Sequence, residues 1–179
     1  MKHDMDTILR TVRLHEWKAD NAAQLSPLKG RSMQFEATHI LLVEDDEVDA
    51  EAIVRSFRKE KIANPIWIAC DGLEALQFLR GEAGRTRIPS PYLILLDINM
   101  PRMNGIEFLH ALRRDPELKG SIVFVLTTSN RDEDKLAAYD EQIAGYVLKQ
   151  RAGENFINLV NMLDSFWRIV EFPPIKSNG

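Results

Sequence analysis

The stretch Tyr92-Leu93-Ile94-Leu95-Leu96-Asp97 decides the fold: an apolar run of strand length ends abruptly on a carboxylate. A run that is apolar at every position, rather than at every second one, predicts a strand buried on both faces. Outward from it, His39–Val43, Ile66–Ala69, Ile122–Leu126 and Gly145–Leu148 also have strand length, and most are apolar throughout. Helical patterns fill the gaps. Ala50, Ile53, Val54 and Phe57 form one stripe, as do Phe156, Leu159, Val160, Leu163, Phe166, Trp167 and Val170 near the end. Three helix starts pair a capping residue with a Glu three positions on: Asp71–Glu74, Asn104–Glu107 and Asn130–Glu133. Strands alternating with helices predict an α/β chain with a doubly wound parallel five-stranded sheet, because each crossover lays a helix on a sheet face. Right-handed crossovers bring every strand's carboxyl end to one edge, where ligands of such folds bind.

The residues predicted at that edge carry chemistry. The first strand runs into Glu44-Asp45-Asp46, the third into Asp97, the fourth into Thr127 and Thr128, and the fifth into Lys149. Singly, each has a structural explanation: an acidic helix start, a turn residue before Pro101, a core hydroxyl, a solvated lysine. Together, at successive strand ends, they describe a pocket. Clustered carboxylates repel one another unless a cation joins them, and a hard divalent ion such as Mg²⁺ takes oxygen ligands. Carboxylates, a cation, a hydroxyl and an ammonium suit phosphoryl transfer, where positioning and charge neutralisation do most of the catalysis.

Composition narrows the class. The chain has 179 residues, 45% hydrophobic and 28% charged, which excludes a disordered chain and allows one ordinary domain with some excess. A net charge of −4 gives no bulk attraction to nucleic acid or anionic lipid. The single Cys70 fits a reducing compartment, and packing suits it better than reactivity. With no long apolar run, a soluble cytoplasmic protein is expected. Residues 1–37 read as an extension, either disordered or helical through Met5, Ile8, Leu9 and Val12, followed by a turn-rich linker containing Pro27 and Gly30. Residues 38–170 read as the domain and 171–179 as a tail. His3, His15, His39 and His110 show no metal-binding spacing.

ILLVEDDE, LILLDINMPRMNG, VFVLTTSN and GYVLK, in this order and spacing, resemble the receiver domain of bacterial two-component response regulators. The resemblance covers about residues 39–170 and implies a flavodoxin-like (βα)5 fold. It makes Asp97 the acceptor of a phosphoryl group carried on a histidine of a sensor kinase. It implies Mg²⁺ held by Asp45, Asp97 and the Asn99 backbone carbonyl, with Glu44 acting through a water. Thr127 and Lys149 would contact phosphoryl oxygens, and Tyr146 would be the aromatic that rotates when Thr127 moves. Asp46 falls outside the acidic pair and is left as a helix-start charge, while Asn99 and Ser129 flank the pocket.

Three details resemble the stand-alone regulators of bacterial phytochromes: the long polar loop Gly81–Pro91, Gln150 where most receivers have proline, and the pair Phe166-Trp167. That likeness implies a bacteriophytochrome as kinase partner, and a homodimer through the carboxyl-terminal half anchored by Tyr139, Phe166 and Trp167. Packing of Phe166 and Trp167 into the core is the equal alternative. With nine residues after Val170, no DNA-binding or catalytic module is expected and no membrane partner, and output would pass to a downstream protein target or a phosphotransfer protein. Arg80, Arg85 and Arg87 read as solvated. Competing functions fare worse. A dehalogenase-like hydrolase needs an acid where Asn99 stands, and a flavodoxin needs a phosphate-cradling loop where carboxylates stand. A phosphorylation-independent interaction module is the remaining alternative, and it ordinarily lacks an acid or the lysine that this chain keeps.

Overall fold

The computed structural model describes residues 38–151, 156–170 and 172; the extension, including the stretch Met5 to Val12 read as a possible helix, and the tail apart from Phe172 lie outside them. The chain alternates β1 (His39–Val43), α1 (Glu47–Lys59), β2 (Ile66–Ala69), α2 (Gly72–Arg80), β3 (Tyr92–Leu96), α3 (Gly105–Arg114), β4 (Ile122–Thr127), α4 (Asp132–Asp140), β5 (Gly145–Leu148) and α5 (Ile157–Ile169). A 3₁₀ turn over Lys149–Arg151 follows β5. All strand pairs are parallel, in the order β2-β1-β3-β4-β5.

The continuous apolar strands are explained by the two layers they feed. Leu41, Val43, Ile94, Leu96, Val123 and Val125 point to one face, where α2, α3 and α4 add Leu79, Phe108, Leu112 and Ala138. Their neighbours Ile40, Leu42, Leu93, Leu95, Phe124 and Leu126 point to the other, against Ile53 and Phe57 of α1 and Leu159, Val160 and Leu163 of α5. Successive side chains alternate between faces, so only an unbroken apolar run serves both. Of the α1 stripe, Ala50, Ile53 and Phe57 are buried and Val54 only partly; Ser56 takes an inward position by donating its hydroxyl to the Ala52 carbonyl at 2.8 Å.

The three expected caps differ in outcome. Asn104 and Glu107 form the full reciprocal box on α3, with both bonds at 2.9 Å. On α2, Asp71 accepts from the Glu74 amide at 2.9 Å, but the Glu74 carboxylate reaches the Cys70 amide, at 2.7 Å, one residue earlier than a box requires. The box expected at Asn130–Glu133 does not form. Arg131 is the cap residue of α4 without a side-chain bond, the Asn130 amide oxygen accepts from Lys135 Nζ at 2.8 Å, and Glu133 pairs with Arg131. A lysine one turn into the helix takes the capping acceptor.

Arg80 and Arg87 are exposed, as expected of a solvated surface, and Arg85 is partly covered, but all three are also ion-paired. Arg80 pairs with Asp115 at 3.0 Å and Arg87 with Glu117 at 2.9 Å, tying this region to the α3–β4 connection. Arg85 pairs with Glu74 and lies over the Phe78 ring, 4.5 Å from its centre. Ile88 anchors the loop: it is buried in the same layer as Leu79 and Phe108 and donates its amide to the Phe78 carbonyl.

Candidate functional site

Strand register builds the site. Val43 of β1 pairs with Leu96 of β3, so the next residues, Glu44 and Asp97, lie side by side where the two central strands end. This is also where the strand order reverses, with β1 leading outward to β2 and β3 leading toward β4, the point at which open α/β sheets form their crevice. Asp97 is buried, and its carboxylate accepts from the Ile98 amide at 2.7 Å. The loop after it must turn back sharply. The Gly105 amide donates to the Ile98 carbonyl at 2.9 Å, and a Cβ on Gly105 would lie 2.8 Å from Ile98 Cα. Only glycine fits so close to the backbone that carries Asp97.

Glu44, Asp45 and Asp97 form one cluster, an oxygen from each lying within 4.8 Å of the others. Glu44 and Asp97 are buried while Asp45 is exposed, so the cluster has a dry floor and an open side. Burial pushes the Glu44 carboxyl up to about 7, against the pull of Lys149. Asp46 turns away from the cluster to cap α1, accepting from the Val48 and Asp49 amides at 2.8 and 3.1 Å.

Lys149 reaches the same cluster from β5. Its ammonium lies 2.8 Å from Glu44, 3.5 Å from Asp97 and 2.7 Å from Asp49. Burial alone would lower its pKa, but hydrogen bonds to Asp49 and Glu44 and the charge of Asp97 outweigh that and hold it above the ordinary lysine range. Asp49 was not singled out by the sequence. It stands among acidic residues at a helix start, and only the fold shows that it faces a lysine one hundred residues away.

Thr127, fully buried, ends β4 opposite Leu148, and its hydroxyl accepts from the Ser129 amide at 3.2 Å. Tyr146 donates its hydroxyl to the Ser129 carbonyl at 3.0 Å, so the aromatic is tied to the loop that leaves Thr127. Ser129 in turn donates to the Asp134 carboxylate in α4. Asn99 is exposed and lines a shallow cleft with Ile98, Met100, Asn104, Ile106 and Asp134. Glu44, Asp45, Asp97 and Lys149 thus lie together, while Thr127 stands at the end of the neighbouring strand β4, Tyr146 is tied to the loop after it and Asn99 is exposed beyond Asp97.

The sequence profile of the response regulator receiver domain matches residues 40–161. The chain belongs to the response regulator receiver family. This receiver is 36% identical over 128 residues to response regulator Rcp1 of Synechocystis sp., covering 72% of this chain and 87% of Rcp1. The crystal structure of Mn²⁺-bound Rcp1 matches it with a TM-score of 0.68 at 35% identity, covering 76% of this chain and 99% of that one. The phosphorylated cyanobacterial phytochrome response regulator RcpA matches with a TM-score of 0.70 at 31% identity, covering 77% and 99%. The receiver's own donor set fits a hard cation: three carboxylates, one of them exposed, with no soft sulfur or imidazole among them. Among the described residues, no helix is long and apolar enough to cross a membrane.

Phe166 and Trp167 resolve in favour of the core. Phe166 packs edge-on against Phe124 and Phe172, and Trp167 stacks on Phe57 of α1. Of the three aromatic anchors considered for a dimer, only Tyr139 stands exposed, near Leu136 on α4.

Proposed function

We propose that this protein is a stand-alone response regulator that accepts a phosphoryl group on Asp97, dependent on Mg²⁺, and signals through a changed protein-interaction surface. The observation that carries the proposal is the convergence of Glu44, Asp45 and Lys149 on one buried aspartate at the strand-order reversal. An Asp97 carboxylate oxygen attacks phosphorus. The bond to the donor's imidazole nitrogen breaks, and the electron pair leaves with the histidine. Asp45, Asp97 and the Asn99 carbonyl, with Glu44 acting through a water, would hold Mg²⁺, which when bound would supply positive charge for the phosphoryl oxygens. Lys149 supplies the fixed positive charge and Thr127 the hydroxyl donor. The added charge, close to two negative units, draws Thr127 and Lys149 inward. Tyr146 reads that movement through its bond to the Ser129 carbonyl, which reshapes the surface of α4, β5 and α5.

The relatives support the finer reading. RcpA is a phytochrome response regulator solved in phosphorylated form, and Rcp1 binds Mn²⁺ in its crystal. The kinase partner is therefore proposed to be a phytochrome-type sensor histidine kinase, the setting cytoplasmic, and the acting unit residues 38–170. Output passes to a protein target or phosphotransfer protein, and homodimerisation would use the α4 side, where Leu136 and Tyr139 are exposed.

The test is intact-mass spectrometry after incubation with acetyl phosphate and Mg²⁺. A single phosphoryl adduct is expected in the wild type, absent without Mg²⁺ and absent from Asp97→Asn. Undiminished labelling of Asp97→Asn would overturn the assignment.

A further inference from the structure

Lys149 has more partners than its proposed role requires. Its ammonium can donate three hydrogen bonds, and two short contacts go to Asp49, at 2.7 Å, and Glu44, at 2.8 Å. Asp97, which it is to serve, lies at 3.5 Å. Asp49 is held for this contact. Its amide donates to the Asp46 side chain that caps α1, which fixes the first turn of the helix, and its carboxylate is half-buried beside the pocket. The site thus contains a fourth carboxylate, outside the Glu44, Asp45 and Asp97 cluster, whose contact is with the site's cation-bearing side chain.

We propose that Asp49 is a positioning residue that acts through Lys149, holding the ammonium between itself and Glu44 and away from Asp97 before phosphorylation and competing with the phosphoryl group for it afterwards. The inference rests on the phosphoacceptor reading above. It has two consequences of opposite sign. When Asp49 loses its charge, Lys149 keeps Glu44 and closes on Asp97, an oxygen that Mg²⁺ needs, so Mg²⁺ binds more weakly. A phosphoryl group then no longer contends with Asp49 for the lysine and no longer faces its negative charge, so it is held more tightly.

The experiment compares full-length wild type, Asp49→Asn and Asp49→Glu by calorimetry, first titrating Mg²⁺ and then, at saturating Mg²⁺, the phosphoryl analogue beryllofluoride. For Asp49→Asn, Mg²⁺ affinity is expected to fall roughly three- to tenfold and beryllofluoride affinity to rise roughly three- to tenfold, the scale of one charge-assisted hydrogen bond. Asp49→Glu, which keeps the carboxylate, returns both toward wild type. Thermal melting confirms that the variants fold; if Asp49→Asn does not, Asp49→Ser carries the same expectation. Loss of affinity for both ligands would mean a merely structural role, and no change in either would mean no coupling; each overturns the proposal. Beryllofluoride that binds no variant, wild type included, would overturn the phosphoacceptor reading itself and this inference with it.

Discussion

Glu44 shows how burial and function meet in one side chain. With its carboxyl pushed up to about 7 by burial, the metal-free protein keeps a proton there that an unfolded chain, near 4.5, has released. The native state therefore binds more protons between those values, and the metal-free protein loses stability as pH rises across that window. Cation binding needs the deprotonated form. Mg²⁺ affinity is accordingly expected to rise as pH increases through about 7 and level off above; a flat calorimetric profile between about pH 6 and about pH 8.5 would remove Glu44 from the cation's surroundings. Cys70 is the opposite case, a titratable group with no chemistry to perform. Burial, helped by the Glu74 carboxylate, pushes its thiol from 9.0 up to about 11. Two units cut the thiolate fraction about a hundredfold at mildly alkaline pH, partly offset by the greater nucleophilicity of a more basic thiolate, so alkylation by iodoacetamide is expected to be at least about tenfold slower in the folded protein than in urea. Comparable rates would show that the thiol is not held this way. The sequence placed Asp97, Glu44, Thr127 and Lys149 because strand ends can be read from apolar runs. Asp49 escaped notice because its meaning depends on a partner from the far end of the chain.

At the scale of elements, α5 closes the second layer through aromatic contacts rather than through a long apolar stripe. Leu159, Val160 and Leu163 are buried, whereas Val170, expected on the same face, is exposed. Trp167 against Phe57 and Phe166 against Phe124 carry the carboxyl-terminal end of the helix. Because both rings are only half-buried, Trp167→Ala is expected to cost about 2 kcal/mol, below the range for a fully buried ring. Ile169→Ala, two residues on and 80% exposed, is expected to change stability by under about 0.5 kcal/mol. Denaturant melts of the two variants check this, and equal losses would contradict the packing. Arg113 shows what pattern reading cannot supply. Its guanidinium donates to the carbonyls of Lys119, Ser121, Glu141 and Gln142, joining the end of α3 to the turns before β4 and β5. One arginine among 23 basic residues gives no sign of this in the sequence. The strands were legible almost to the residue, with β4 running one further to Thr127, because burial on both faces writes itself into every position. Caps were less legible because several polar side chains compete for the same amides, as Lys135 does for Asn130.

At the scale of the whole molecule, a site assembled from the ends of β1, β3, β4 and β5 has no local existence. Its carboxylates and its lysine become neighbours only when the sheet forms with β1 and β3 at its centre. The sheet therefore fixes the distances, and the proposed phosphorylation switch would act through the loops and helices at its carboxyl edge. Tyr146, Ser129 and Asp134 make a short chain of hydrogen bonds from that edge into α4, the helix whose Leu136 and Tyr139 stand exposed. The central claim is that Asp97 receives the phosphoryl group. Borohydride reduces an aspartyl phosphate to homoserine, which peptide mass spectrometry locates. After labelling with acetyl phosphate, homoserine is expected at position 97 alone and only when Mg²⁺ is present. Homoserine at position 45 or 49, or at no position in a folded and labelled protein, would contradict the account.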